Sequence, residues 1–117
     1  MVIEDDAEIV NSITLAFQYY WPEVQIISTH LGVHGIKLAR INKLDAIILD
    51  LGLPDITGFE VLKKIREFSS IPIVILTVRT HEEDVIEAIE GKANGFIAKP
   101  FRQLDLMNRM KAVVKSG

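Results

Sequence analysis

Short runs of Ile and Val alternate with amphipathic segments along this chain, and this alternation restricts its fold more than any other feature. A short uninterrupted apolar run indicates a strand buried on both faces, whereas apolar residues three or four apart indicate one face of a helix. We predict five strands, at residues 1–3, 24–27, 46–49, 71–76 and 95–98. Helical intervals recur in the segments 9–20, 59–68, 85–89 and 107–114, and a weaker helix is predicted over 32–41.

Repeated strand-helix units predict an α/β fold, in which a parallel sheet is joined by right-handed crossovers and covered by helices on both faces. In such sheets ligands bind at the carboxyl ends of the strands. The residues that directly follow each predicted strand are therefore the candidates for function.

The composition limits the class of protein. With 117 residues, 49% of them hydrophobic, the chain is long enough to form one buried core, and we expect one domain. Cysteine is absent, which excludes disulfides and thiolate metal sites and fits a reducing compartment. No apolar run approaches the roughly 20 residues that span a bilayer, so we expect a cytoplasmic protein without a membrane segment. A net charge of -3 argues against direct nucleic-acid binding.

Acidic residues follow two of the predicted strands. Glu4, Asp5 and Asp6 follow the first strand, and Asp50 follows the third. Carboxylates crowded at one sheet edge repel one another, and a hard divalent cation that prefers oxygen, above all Mg2+, relieves that repulsion. Asp5 or Asp6 also has an ordinary alternative role, since either would serve as the N-cap of the first helix.

A hydroxyl and a lysine are predicted at the same edge. Thr77 follows the fourth strand, and Lys99 follows the fifth. A cation, a hydroxyl and a metal ion together suit a phosphoryl group, so Asp50 is a candidate nucleophile that would become an acyl phosphate. Taken alone, Thr77 is more often a capping hydroxyl and Lys99 a surface lysine. The prediction therefore depends on four strands bringing these groups to one edge.

Four stretches, VIEDD, ILDLGLPDITGFEVL, ILTVR and GFIAKPF, occur in the order and at the spacings typical of the receiver domain of two-component response regulators. The chain resembles that family over essentially its whole length, and the stretches DLGLPD and QLDLMNRMKAVV resemble the subfamily with winged-helix DNA-binding output domains. The resemblance implies a flavodoxin-like doubly wound five-stranded parallel sheet, strand order 2-1-3-4-5, with five helices. It also implies that residues 1–117 are a receiver domain, the N-terminal part of a longer transcriptional regulator.

The resemblance assigns the acidic residues to metal binding and phosphorylation. Asp50 would accept a phosphoryl group from a partner sensor histidine kinase. Glu4 and Asp5 would form the acidic pair of the family, and Asp6 aligns outside that pair. Asp5 and Asp50 would bind Mg2+ together with the backbone carbonyl of Gly52.

The remaining edge residues would respond to the phosphoryl group. By the same resemblance, Lys99 would bind a phosphoryl oxygen, the Lys99-Pro100 bond would be cis, and the hydroxyl of Thr77 would turn toward the phosphate. Phe96 matches the switch aromatic of the family and would rotate into the space that Thr77 leaves. An ordinary core aromatic is an equally good interpretation of Phe96.

The resemblance further implies that output partners dock on the fourth helix, fifth strand and fifth helix, and that a homodimer forms there. Asp105 and Arg109 match members of the ion-pair network of the subfamily dimer. Asn94 and Gly95 stand where that subfamily has two acids, which weakens the network. Exposed ion pairs contribute only about 0–1 kcal/mol each, so their loss leaves an apolar contact possible.

Two further positions would govern the lifetime of an acyl phosphate. Gly52 and Arg79 match the family positions that control the access of water to the phosphate. Gly52 has no side chain to obstruct water, whereas Arg79 would shield the phosphate or hold it electrostatically.

Three other functions compete with a phosphorylated receiver. A phosphohydrolase of the haloacid dehalogenase type needs a second Asp two residues after the nucleophile, where this chain has Gly52. A flavin-binding module needs a phosphate-binding loop after the first strand, where Glu4, Asp5 and Asp6 would repel phosphate. A degenerate receiver that serves as a phosphorylation-independent docking module remains the main alternative, because a fold does not guarantee an activity.

Overall fold

The computed structural model describes residues 1–78 and 81–116, the last two by their backbone alone. Arg79, one of the two positions proposed to control water access, lies outside the described residues. The strands are β1 (Val2–Ile3), β2 (Ser28–Thr29), β3 (Ile47–Asp50), β4 (Ile73–Thr77) and β5 (Gly95–Ala98). The helices are α1 (Ala7–Tyr20), α2 (Gly32–Ile41), α3 (Gly58–Arg66), α4 (Glu82–Glu90) and α5 (Gln103–Ser116).

The five strands form one parallel sheet in the order β2-β1-β3-β4-β5, which confirms the predicted fold. Side chains alternate between the faces of each strand, so the continuous apolar runs fill two cores. Ile48 and Val74 pack with α1 and α5, whereas Leu49 and Ile75 pack with α3 and Ala88 of α4. Burial on both faces explains why the strands lack the polar alternation of a half-exposed sheet.

The second strand lies later in the chain than predicted. The apolar pattern places it at 24–27, but β2 is Ser28–Thr29, and the preceding residues are linked to β1 by a hydrogen bond from Val2 N to Ile27 O of 2.8 Å. Because Val2 is in register with Ser28, no part of β1 lies beside residues 24–26. Ile27 is 38% exposed, so this segment is an open sheet edge and not a buried strand.

The predicted end of the third helix is wrong, whereas the predicted fourth helix is confirmed as α4. Phe68 lies beyond the end of α3, where the N–H groups of Glu67 and Phe68 bond three residues back, as from Phe68 N to Ile65 O at 3.1 Å. The guanidinium carbon of Arg40 lies 4.6 Å from the centroid of that ring. In α4 the buried side chains are Asp84 and Ala88, while Ile89 is 66% exposed.

Across the part of the chain that the structure describes, no helix has the length and apolar character needed to cross a membrane.

Candidate functional site

Asp50 is the last residue of β3 and is held at the carboxyl edge of the sheet by its apolar neighbours. Ile47, Ile48 and Leu49 before it and Leu51 after it are at most 2% exposed, so the chain cannot shift without removing one of them from the core. Asp50 itself is 6% exposed. A carboxylate so nearly buried requires a compensating charge nearby.

Two acids from the end of β1 meet Asp50 at this edge. Glu4 continues the strand direction, since its N–H donates to Thr29 O at 3.0 Å, and its side chain is buried, whereas Asp5 is exposed. One carboxylate oxygen from each of Glu4, Asp5 and Asp50 lies within 4.8 Å of the others. The structure therefore brings together the three side-chain carboxylates that the sequence proposed as a metal site.

Lys99 supplies the positive charge. Its Nζ lies 2.5 Å from Glu4 Oε1 and donates a hydrogen bond of 3.3 Å to Asp50 Oδ1. The backbone holds this lysine in place, because Lys99 N donates to Thr77 O at 2.8 Å. The following bond to Pro100 is cis, the isomer that the resemblance implies. Thr77, the last residue of β4, is 1% exposed and paired with Ala98.

Ionisation in this cluster is shifted by burial and by the neighbouring charges. Burial raises the pKa of Glu4 to about 7; the contact with Lys99 opposes this rise, and the charge of Asp50 adds to it. Burial by itself lowers the pKa of Lys99, but Glu4 and Asp50 outweigh it, so the pKa of Lys99 is raised overall. Lys99 is therefore a permanent cation at neutral pH, whereas Glu4 is close to its midpoint.

The residues present fit a hard divalent cation. The donors are carboxylate oxygens, the ligand type that Mg2+ prefers. Glu4 Oε1 is buried, and its close charged neighbour is the ammonium of Lys99. One lysine facing three carboxylates also leaves an excess of negative charge that a cation would neutralise.

Asp6 is a helix-capping residue, the ordinary alternative to a place in the acidic cluster. It is the N-cap of α1, and its Oδ1 accepts from Glu8 N at 2.9 Å and from Ile9 N at 3.4 Å. Its own N–H donates to Glu4 Oε2 at 3.3 Å, which orients that carboxylate. Asp6 therefore lies outside the three-carboxylate cluster and supports it indirectly.

Of the residues proposed for switching and dimerisation, Thr77 ends the strand next to β3, whereas Phe96, Asp105 and Arg109 belong to β5 and α5 and are not part of the carboxylate cluster. Phe96 of β5 is half-buried and packs beside the α3 and α4 face of the sheet, where both of its interpretations remain open. Asp105 and Arg109 are exposed on α5. A Cβ at Gly95 would lie 3.3 Å from Arg109 Cδ, so the stem of that arginine packs over the glycine.

Sequence reasoning missed Asp55, which joins two parts of the fold. Its Oδ1 accepts from Gly32 N at 2.8 Å and its Oδ2 from Val33 N at 2.9 Å, at the start of α2. The N-cap residue of α2 is Leu31, which has no side-chain acceptor. A leucine at a predicted N-cap was the available signal that an acceptor must come from elsewhere in the chain.

Comparison with known proteins identifies the family to which this arrangement belongs. The family model of the response regulator receiver domain matches residues 1–111. The chain belongs to this family. It is thus a receiver domain of the two-component response regulators, a signalling module, and its carboxyl-edge cluster is formed by the residues through which the sequence resembled that family.

The relatives of this receiver domain are regulatory proteins. It is 32% identical over 117 residues to the transcriptional regulatory protein KdpE of Mycobacterium tuberculosis. This match covers 98% of this chain and 50% of the relative. The chain is 35% identical to the transcriptional regulatory protein AfsQ1 of Streptomyces coelicolor, in a match that covers 100% of this chain and 51% of the relative. It is 36% identical to the cell cycle response regulator CtrA of Brucella ovis, in a match that covers 98% of this chain and 49% of the relative. The chain therefore spans about half the length of these curated relatives.

Solved structures show the same fold. The Francisella response regulator 1452 receiver domain matches with a TM-score of 0.90 at 25% identity, covering 98% of this chain and 94% of that one. A CheY-like receiver domain protein from Methanospirillum hungatei matches with a TM-score of 0.92 at 19% identity, covering 98% and 91%. The second identity is too low to indicate more than a shared fold.

Proposed function

We propose that this receiver domain is a phosphorylation-activated switch that takes a phosphoryl group from a sensor histidine kinase onto Asp50. The observation that carries the proposal is the meeting of Asp50, two further carboxylates and Lys99 at one edge, with Thr77 ending the adjacent strand. A structural ion pair would need one acid for one lysine. Three acids in one cluster, of which two contact a single lysine and the third is exposed, suit a site that receives a metal ion and a phosphoryl group.

The chemistry follows from the positions of the charges. A carboxylate oxygen of Asp50 attacks phosphorus, a new O–P bond forms, and the N–P bond of the phosphohistidine breaks as the imidazole leaves and takes up a proton. Lys99 already contacts Asp50 and would bind a phosphoryl oxygen after transfer, which balances the charge that arrives. Hydrolysis of the acyl phosphate by water returns the carboxylate and inorganic phosphate.

A divalent cation would complete the site. Asp5, Asp50 and the backbone carbonyl of Gly52 would hold Mg2+, with Glu4 as the second member of the acidic pair. When bound, Mg2+ neutralises the carboxylates and the oxygens of the transferred group. Gly52 suits this position because a Cβ there would have Asp50 Oδ2, at 3.8 Å, as a close neighbour, so the loop backbone passes beside the acceptor.

Phosphorylation would alter the surface formed by α4, β5 and α5. The added charge and acceptors draw the hydroxyl of Thr77 toward the phosphate, and Phe96 turns toward the space that it leaves. Since Phe has no hydroxyl, this change would depend on packing alone. We infer that this surface then controls an output domain in a longer regulator, of the winged-helix DNA-binding type that the sequence resembles.

Intact mass after incubation with Mg2+ and acetyl phosphate or phosphoramidate tests the proposal. The wild-type chain is expected to gain one phosphoryl group, and Asp50→Asn is expected to gain none. Asp45→Asn is a matched control, because Asp45 is an exposed acid just before the opposite end of β3. This variant should be phosphorylated like the wild type.

Two results would contradict the proposal. An adduct that persists in Asp50→Asn would place the acceptor elsewhere. Failure of the wild type to gain a phosphoryl group from either donor, together with no Mg2+ binding by calorimetry, would favour a phosphorylation-independent docking module.

A further inference from the structure

The loop that follows the phosphoryl acceptor packs Leu51, Leu53 and Ile56 against the core but makes few hydrogen bonds to other elements. It comprises residues 51–57, between β3 and α3, and includes Gly52. At its base, Gly58 N donates to Leu51 O at 2.9 Å. Elsewhere in the described chain, the hydrogen bonds that link residues 52–56 to another helix or strand are the two that Asp55 accepts from α2.

The contact between this loop and α2 is close and specific. A Cβ at Gly32 would lie 2.7 Å from both Ile56 Cγ1 and Val61 Cγ2, so the start of α2 touches the end of the loop and the first part of α3. Asp55 accepts the N–H groups of Gly32 and Val33 with separate oxygens. These hydrogen bonds lower the pKa of Asp55, and the one from Val33 N has the largest effect, so Asp55 is a carboxylate at neutral pH.

We propose that Asp55 is a positioning residue for the phosphoryl-acceptor site, which holds the 51–57 loop on the N-terminus of α2 and so keeps the Gly52 carbonyl in place for a divalent cation. This inference rests on the proposed function. Asp55 lies three residues beyond Gly52, and its attachment to α2 is 23 residues away in the chain, so it fixes the loop to an element that sits independently on the sheet. Without that attachment the loop would keep its base at Leu51 but lose its polar support beyond Gly52.

The expected consequence is a weaker metal site rather than a different reaction. Residues that orient metal ligands typically change metal affinity or activity 10–100-fold when they are removed. We expect Asp55→Ala to raise the Mg2+ concentration for half-maximal phosphorylation about tenfold. The rate at saturating Mg2+ should change much less, because Asp50 and Lys99 are untouched. Asp55→Asn keeps one acceptor oxygen and should fall between Asp55→Ala and the wild type.

The experiment combines phosphorylation rates from phosphoramidate with direct Mg2+ titration by amide NMR, for the wild type and both Asp55 variants. Asn94→Ala is the matched control, since Asn94 Oδ1 also accepts two hydrogen bonds, from Ile73 N and Arg66 Nη2, each 2.9 Å, where β4 begins. Urea unfolding of each variant separates lost stability from lost metal affinity. The control should lose stability without a change in its Mg2+ dependence.

Each outcome bears on one claim. If Asp55→Ala and the wild type need the same Mg2+ concentration, the positioning role is wrong and the proposed function stands. If Asn94→Ala shifts the Mg2+ dependence as much as Asp55→Ala, general destabilisation explains the effect and the positioning role is again wrong. If the wild type binds Mg2+ but gains no phosphoryl group, the proposed function fails, and the NMR titration still decides the role of Asp55.

Discussion

At the residue scale, the main energetic feature of this protein is a set of charges held at the end of buried strands. Glu4 and Asp50 are 2% and 6% exposed, and their positive neighbour is Lys99. Removing one partner of a buried ionic group typically costs about 3–5 kcal/mol, because the other charge is left unpaired. A fold that only had to be stable would gain more from apolar residues here, which supports a functional reason for the cluster.

In a 117-residue chain that starts at Met1, the amino group of Met1 is a second residue-scale feature, and it predicts a pH dependence of stability. It donates a hydrogen bond to Ala46 O at 2.9 Å. Burial lowers its pKa from 8.0 to about 6, and the negative charge of Asp45 opposes this decrease. Between those pH values the unfolded chain binds the proton and the folded chain does not, so this amino group increases the free energy of unfolding as pH rises from 6 to 8. The difference between the two pKa values corresponds to at most about 2.7 kcal/mol. Glu4, whose pKa is raised to about 7, acts in the opposite direction over part of the same range.

Urea unfolding at pH 6 and pH 8 measures this effect. The same chain with an acetylated N-terminus is the control, because acetylation removes this titration and leaves the others. The change in the free energy of unfolding from pH 6 to pH 8 should be more positive in the free-amine chain than in the acetylated one. Equal changes would show that the amino group does not titrate differently on folding.

At the element scale, the junction of β3 and α3 determines how closely the acceptor lies to its loop. Helix α3 begins at Gly58, directly against the backbone that carries Asp50, and Thr57 caps it by accepting from Glu60 N at 3.2 Å. A side chain at the first helical position would meet the backbone of β3. The element boundary is therefore set by a glycine that allows helix and strand to touch.

Gly58→Ala should strongly destabilise this junction. Its Cβ would contact Asp50 O and lie 2.6 Å from Leu51 Cα, and backbone atoms cannot turn aside as a flexible side chain can. Overpacking of this kind costs about 1–3 kcal/mol, which urea unfolding measures. Gly52→Ala is the paired comparison, because its Cβ would meet only Asp50 Oδ2, at 3.8 Å, among the described neighbours. Similar losses in the two variants would contradict the steric explanation.

At the scale of the whole molecule, the surface of α4, β5 and α5 carries exposed apolar side chains that the fold itself does not use. Ile86 and Ile89 of α4 and Leu104 of α5 are 47%, 66% and 50% exposed. Asn94 and Gly95 stand where the resemblance implies acids of a dimer network, and Asn94 Oδ1 instead accepts from Arg66 Nη2 and Ile73 N. We therefore expect any self-association through this surface to depend mainly on apolar contact.

We expect the phosphorylated chain to dimerise through this surface and Ile89→Glu to weaken the dimer at least about tenfold, because a carboxylate would be buried without a partner. Light scattering across a concentration series, with and without phosphoramidate and Mg2+, measures the association. Tyr19→Glu on α1 is the control, since Tyr19 is 79% exposed on a different helix. A dimer that is lost in Tyr19→Glu and kept in Ile89→Glu would place the contact on another surface.

Most of the architecture could be predicted from the sequence, because local patterns record burial directly. Runs such as 46–49 and 71–76 are apolar on both faces, and the acids, hydroxyl and lysine that end the strands must meet once those strands are parallel. The prediction was wrong at residues 24–27, where the apolar pattern gives no information on whether a partner strand lies beside them. It was also wrong for Phe68, because the tightening of the last turn of α3 leaves no signal in residue spacing.

By itself, the sequence determined the order of elements, the strand-end groups and the family, because each depends on residue types at short separations. Only the tertiary structure decided that Asp6, and not Asp5, caps α1, since the two acids are adjacent and chemically identical as capping residues. It also decided that Asp55 supplies the missing cap of α2 from 23 residues away. Such contacts depend on how separate elements pack, and a carboxylate 23 residues from its partner leaves no periodic pattern in the chain.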